Sequence, residues 1–131
     1  MLLDTSGLLC LFDQSDFRHR DAQAFYDVAS ARLTHSYVFV EFVALAHARR
    51  TPRAAALAFV ADLQDDTEIE VVWVDESLHR QALILLQQRP DKEWSLCDAV
   101  SFLLMEQHAL RDALTTDHHF EQAGFIRLLP S

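Results

Sequence analysis

The run Ile69-Glu70-Val71-Val72-Trp73-Val74 passes directly into Asp75-Glu76-Ser77-Leu78-His79-Arg80-Gln81-Ala82-Leu83. The β-branched side chains of the first run predict a strand over Ile69 to Val74. Asp75 or Ser77 is a good helix start, and the helix it opens must end before Pro90. A strand that feeds a helix is half of a parallel βαβ unit. The question is whether the rest of the chain alternates in the same way.

It does. On the amino-terminal side, Met1 to Asp4 reads as a short apolar strand, followed by Thr5, Ser6 and a brief helix to Phe12. Ala22, Phe25, Tyr26 and Ala29 recur at helical spacing and predict a helix over His19 to Ala31. Leu33 marks a short strand, and a third helix is expected from Ser36 to Arg49. Thr51 as N-cap and Pro52 as first helical residue predict a fourth helix carrying Ala54 to Leu63. On the carboxyl-terminal side come a helix over Leu96 to His108, a strand at Ala113 to Thr115 and a helical turn at His118 to Gln122. Gly124 then stops that turn before a last strand at Phe125 to Leu128. Alternating strands and helices give an α/β fold with a mostly parallel sheet, in which ligands bind beyond the carboxyl ends of the strands.

Composition agrees. The chain has 131 residues, half of them apolar and 24% charged, which suits one core and one domain over 1–131 rather than disorder. Gly7 and Gly124 are its two glycines, too few for a turn-rich all-β fold. No uncharged run exceeds eight residues, so no membrane span is expected. The apolar start lacks a basic leader and carries Asp4, unlike a signal peptide. Cys10 and Cys97 have no metal-ligand spacing and read as reduced core thiols of a cytoplasmic protein.

Four carboxylates stand out, each with an ordinary structural use beside a chemical one. Asp4 ends the first strand, where a turn or cap role is equally natural. Asp98 stands in Ser95-Leu96-Cys97-Asp98, a spacing that also describes a capping box. Asp117 closes the strand before a helical turn and could be only an N-cap. Glu41 is harder to explain, because Tyr37-Val38-Phe39-Val40-Glu41-Phe42-Val43-Ala44-Leu45 is otherwise apolar. Unless it lies on a solvent stripe or pairs with an arginine, a carboxylate there is costly. Acids gathered at one rim of the sheet would repel one another without a cation, and their hard oxygens suit Mg²⁺ or Mn²⁺. Carboxylate-held divalent ions are apparatus for phosphodiester hydrolysis.

The ordered set of motifs resembles the PIN-domain ribonucleases, particularly the VapC-like toxins of toxin–antitoxin pairs. It comprises Leu2-Leu3-Asp4-Thr5-Ser6-Gly7-Leu8-Leu9, Glu41 in its apolar helix, Ser95-Leu96-Cys97-Asp98-Ala99 and Thr115-Thr116-Asp117-His118-His119-Phe120, with Gly124-Phe125 after the last. The resemblance spans essentially the whole chain. It implies a three-layer α/β/α sandwich and a metal-dependent endoribonuclease using one or two Mg²⁺ or Mn²⁺ ions. Asp4, Glu41, Asp98 and Asp117 would hold the metal, directly or through water, with Asp4 and Asp98 the first candidates for direct ligands. Thr5, Ser6, Ser95 and Thr116 would support them by hydrogen bonding. An RNA substrate, a small antitoxin partner and a homodimer are further implied.

The formal charge of -9 excludes binding of nucleic acid by bulk positive charge. The acidity is uneven, however. Residues 18–53 carry six arginines against three acids, and Arg49, Arg50 and Arg53 with His118 are candidate RNA contacts; ordinary solvated helix ends are the equal alternative. His118 and His119 are adjacent and form no HExxH-type pattern, so packing or surface roles are expected for both. Phe25, Tyr26, Phe39 and Phe59 are expected mainly in the core, with a partner groove as the other use. A response-regulator receiver is disfavoured, because the one lysine, Lys92, lies after Pro90 instead of ending the last strand. Two other uses of the PIN-like fold remain: a nuclease of RNA processing without an antitoxin, and a catalytically inactive interaction domain.

Overall fold

Leu2 and Leu3 send their side chains to opposite faces of the central sheet, and that alternation sets the layers. In the computed structural model, which describes residues 1–131, the order of elements is strand–helix throughout. Strand β1 (Leu2–Leu3) precedes helices α1 (Thr5–Phe12) and α2 (His19–Val28). Strand β2 (Leu33–His35) precedes α3 (Ser36–Ala48) and α4 (Arg53–Asp65), and β3 (Glu70–Val72) precedes α5 (Glu76–Gln88) and α6 (Leu96–Gln107). Strand β4 (Asp112–Leu114), α7 (His119–Gln122) and β5 (Ile126–Arg127) complete the chain.

The sheet has five strands in the order β3-β2-β1-β4-β5, and every pairing is parallel. This sharpens the mostly parallel expectation into a wholly parallel one. Because β1 is central, its carboxyl end at Asp4 lies between the ends of β2 and β4. The strand order reverses around β1, the place where open parallel sheets bind ligands.

Leu3 and Leu114 pack on one face with Leu8, Val38 and Phe42. Leu2 and Ala113 face the other way onto Phe102, Met105 and Phe120, while Leu33 meets Leu78, Val100 and Leu104. Fully burying a leucine or phenylalanine contributes roughly 1.5–3 kcal/mol, so both faces stabilise the sheet. Gly7 is required by close packing: a Cβ there would lie 2.0 Å from the Leu114 carbonyl oxygen. Buried His35 donates or accepts at Nε2 with Ser101 Oγ at 2.8 Å, which ties β2 to α6.

Several boundaries differ from the sequence expectation. Helix α2 ends at Val28 rather than Ala31, because Arg32 turns its Nε and Nη2 back onto the Tyr26 carbonyl at 2.9 and 2.7 Å. Thr51 does not cap α4. Its N–H bonds the Ala46 carbonyl, and Arg50 bonds His47, with Arg50 at φ 57; together they close α3 in a Schellman turn. Pro52 takes the cap position of α4 instead. Strand β3 is shorter than Ile69 to Val74, since pairing stops at Val72 and Trp73 is 63% exposed. Phe39 is buried and Tyr26 and Phe59 pack on the core, whereas Phe25 is exposed.

Candidate active site

Asp4 leaves β1 in an extended conformation and occupies the cap position of α1 without capping it by its side chain. The carboxylate turns instead toward β4. Its Oδ2 accepts from Thr115 Oγ1 at 2.7 Å and from Ser6 Oγ at 3.3 Å. Its other oxygen, Oδ1, is buried with no hydrogen-bond partner, and so is the neighbouring Thr5 Oγ1. An unpaired buried carboxylate oxygen is costly, and a cation is the natural way to satisfy it.

The loop after β4 is fixed by the same hydroxyls. Ser6 Oγ accepts the Thr116 N–H at 2.9 Å, and Thr115 Oγ1 accepts the Asp117 N–H at 3.0 Å. Asp117 Oδ1 in turn accepts the His119 N–H at 2.9 Å, which starts the short helix α7. Of the two adjacent threonines, Thr115 supplies the side-chain bond to Asp4. Thr116 contributes its backbone: its N–H bonds Ser6 Oγ and its carbonyl accepts from Arg127.

Asp98 fulfils the capping reading of its motif. Ser95 Oγ accepts the Asp98 N–H at 2.9 Å, and Asp98 Oδ2 accepts the Ser95 N–H at 3.0 Å, a complete capping box at the start of α6. That places the acid at the positive helix end. The same Oδ2 accepts from His119 Nδ1 at 2.9 Å, and His119 Nδ1 also lies 3.4 Å from Asp117 Oδ2. His119, which the sequence left to packing, thus bridges two of the acids. His118 is largely exposed and stands 3.7 Å from Asp117 Oδ1, on the rim.

Glu41 reaches the cluster from α3, half-buried and outside every ion pair of the chain. Burial pushes its carboxyl up from the ordinary range, and Asp98 and Asp117 push it further. Burial raises Asp4 to about 7 against the Thr115 hydrogen bond, with Asp98 and Glu41 adding to the rise. The four carboxylates therefore share one electrostatic site at the end of β1.

One further side chain is there. Cys97 Sγ, a carboxylate oxygen of Asp4 and one of Glu41 all lie within 4.8 Å of one another. Burial pushes the Cys97 thiol well up, and Glu41, Asp4 and Asp98 push in the same direction. Cys97 is a reduced buried thiol as expected, but one set against the carboxylates rather than only in the core.

The arginines lie elsewhere. Arg49 and Arg50 follow α3, roughly 12 Å along its axis from Glu41 at 1.5 Å per residue. Arg49 acts on Asp13, Asp16 and Cys10, near the far end of α1, and is not among the charges that shift Asp4 or Glu41.

The chain and its five-stranded parallel fold are matched among known proteins. The PIN domain family model aligns with residues 1–126. The 23S rRNA-specific endonuclease VapC20 of Mycobacterium tuberculosis is 30% identical over 131 residues, covering 99% of this chain and 98% of its own. The crystal structure of M. tuberculosis VapC20, described as a Sarcin-Ricin loop cleaving toxin, superposes with a TM-score of 0.87 at 29% identity over 98% of both chains. A toxin–antitoxin complex from Klebsiella pneumoniae shares the fold at a TM-score of 0.63 and 17% identity, covering 99% of this chain and 98% of that one. Fold and similarity over nearly the full length agree: the chain belongs to the PIN-domain family, on its VapC-like side.

Proposed function

We propose that this protein is a metal-dependent endoribonuclease and the toxin of a toxin–antitoxin pair. The observation that carries the reading is the unpartnered Asp4 Oδ1, buried among Glu41, Asp98 and Asp117. The donor set is oxygen-rich and hard, which fits Mg²⁺ or Mn²⁺. Asp4 and Asp98 would hold the ion directly, and Glu41 and Asp117 directly or through water. When bound, such an ion supplies positive charge for water activation and for the departing oxygen of a phosphodiester.

The chain's own groups prepare that site. Thr115 and Ser6 occupy Asp4 Oδ2 and leave Oδ1 free. Ser95 N–H and His119 Nδ1 occupy Asp98 Oδ2, directing its Oδ1 as the remaining acceptor. Those hydrogen bonds fix carboxylates that would otherwise repel one another. Arg49, Arg50 and Arg53 stand too far along α3 and α4 to touch the scissile group. They would grip phosphates further along the RNA, with His118 nearer the cut.

VapC20 acts on 23S rRNA by its name, so large-subunit ribosomal RNA is the first substrate to offer. A homodimer and inhibition by a small antitoxin complete the proposal, and the cytoplasm is where the substrate lies. No helix of the chain is long and apolar enough to cross a membrane. The test incubates purified protein with ribosomal RNA in Mg²⁺, Mn²⁺ or EDTA, beside Asp4→Asn and Asp98→Asn. Cleavage is expected only with metal and intact acids; cleavage surviving in both variants overturns the assignment. A small reading frame next to the gene, whose product stops cleavage, separates a toxin from an RNA-processing nuclease.

A further inference from the structure

Cys97 has no part in the hard-metal chemistry above, yet its sulfur is built into the carboxylate cluster. It occupies the second residue of α6, directly before Asp98, and is 7% exposed. Asp4 comes from the end of β1, Glu41 from α3 and Cys97 from α6, so three separate elements bring their ligand atoms within 4.8 Å. Independently, Asp4 Oδ1 is an unpartnered oxygen on a residue only 4% exposed.

We propose that Asp4, Glu41 and Cys97 form a binding site for a thiophilic divalent cation of the zinc class, and that this ion displaces Mg²⁺ or Mn²⁺ from the site. Two carboxylate oxygens and one thiolate are a ligand set that borderline and soft ions favour over hard ones. A hard ion gains little from sulfur, whereas Zn²⁺ or Cd²⁺ gains a strong bond. Binding replaces the thiol proton, which leaves to solvent as the metal–sulfur bond forms; nothing is oxidised or reduced. The fourth position is left for water or a neighbouring oxygen, and the half-buried Glu41 gives the side from which an ion enters. The consequence rests on the ribonuclease reading: zinc would hold the enzyme inactive in the presence of magnesium, and removal of zinc would release it.

Binding is read without activity. Cd²⁺ is titrated into the metal-free full chain while the ultraviolet sulfur-to-metal charge-transfer band is followed. Wild type and Cys10→Ser are expected to develop the band at one equivalent, and Cys97→Ser and Cys97→Ala to lack it while keeping native circular dichroism. Displacement is followed by the Mn²⁺ electron paramagnetic resonance signal, which Zn²⁺ should return to that of free Mn²⁺ in wild type. At least tenfold more Zn²⁺ should be needed in Cys97→Ser. No band in wild type, or an undiminished band in both Cys97 variants, overturns the proposal. Normal cadmium and zinc behaviour in a chain that cleaves no RNA with any metal would support the site and overturn the ribonuclease reading instead.

Discussion

His119 Nδ1 lies 2.9 Å from Asp98 Oδ2, joining the helical turn after β4 to the first turn of α6. The bond links two acid-bearing segments 21 residues apart, and it leaves Asp98 with one oxygen for a ligand. In the proposed metal site His119 would act as a positioning residue. His119→Ala should weaken Mn²⁺ binding by about ten- to a hundredfold, as loss of such outer hydrogen bonds does at metal sites. His119→Asn, whose amide nitrogen takes the place of Nδ1, should recover much of it. Titration of Mn²⁺ by electron paramagnetic resonance checks both, and equal affinity in wild type and His119→Ala would remove the role.

Asp4 gives the metal-free protein a pH-dependent weakness. Its folded-state value of about 7 stands above the ordinary 3.8, so the fold binds this proton more tightly than the unfolded chain does. The stabilisation is complete below about pH 4 and is lost as pH rises through 7. Taken for this group alone, stability should fall across that window by a few kcal/mol. Thermal melts in EDTA should show the fall in wild type and a flatter profile in Asp4→Asn. Added Mn²⁺ should restore stability most at the alkaline end, where the carboxylate is free to bind it.

Gly7 and Leu114 set how closely α1 sits on β4. A methyl group at position 7 would fall 2.0 Å from one backbone atom and 2.6 Å from another, which no side-chain rotation relieves. Gly7→Ala should therefore cost about 3 kcal/mol or more, read from the urea midpoint. Because the shift would also move Thr115 away from Asp4, metal affinity should fall with it.

Ala109 offers the opposite change. It closes α6 at φ 54, with Leu110 N–H on the Met105 carbonyl and Ala109 N–H on that of Glu106. Gly124 ends α7 in the same geometry at φ 92. Ala109→Gly should stabilise by about 0.5–1 kcal/mol, and Gly124→Ala should destabilise by a similar amount. Chemical denaturation of the two variants gives opposite signs if the backbone argument holds.

Arg49→Gln with Arg50→Gln tests the proposed phosphate grip. RNA affinity should fall, and the slope of log affinity against log salt should flatten by about one unit per arginine. Metal affinity should be unchanged, because both residues follow α3 roughly 12 Å along its axis from Glu41. An unaltered salt slope would return both arginines to the role of solvated helix ends.

Much of this molecule is legible along the chain. The β-branched run before α5, the helical spacing in α2 and the caps at Asp75 and Ser95 are local signals, and they yield the alternating α/β pattern. So are the positions of Asp4, Asp98 and Asp117 at element junctions, and of Glu41 in an apolar helix. What local pattern cannot choose is which of two adjacent residues turns inward where β4 runs into its loop. Thr115 rather than Thr116 meets Asp4, and His119 rather than His118 meets Asp98. Successive side chains leave the extended end of β4 on opposite sides, and neighbours in the helical turn that follows point about 100° apart, so a shift of one residue decides each case. Helix ends depended in the same way on distant or backward bonds, as Arg32 shows for α2 and Thr51 for α3. The sequence by itself determined the element types and the acidic residues of the site. Only the tertiary structure decided their convergence, the freedom of Asp4 Oδ1 and the place of Cys97 beside it, because parallel pairing brings together segments whose separation leaves no periodic trace.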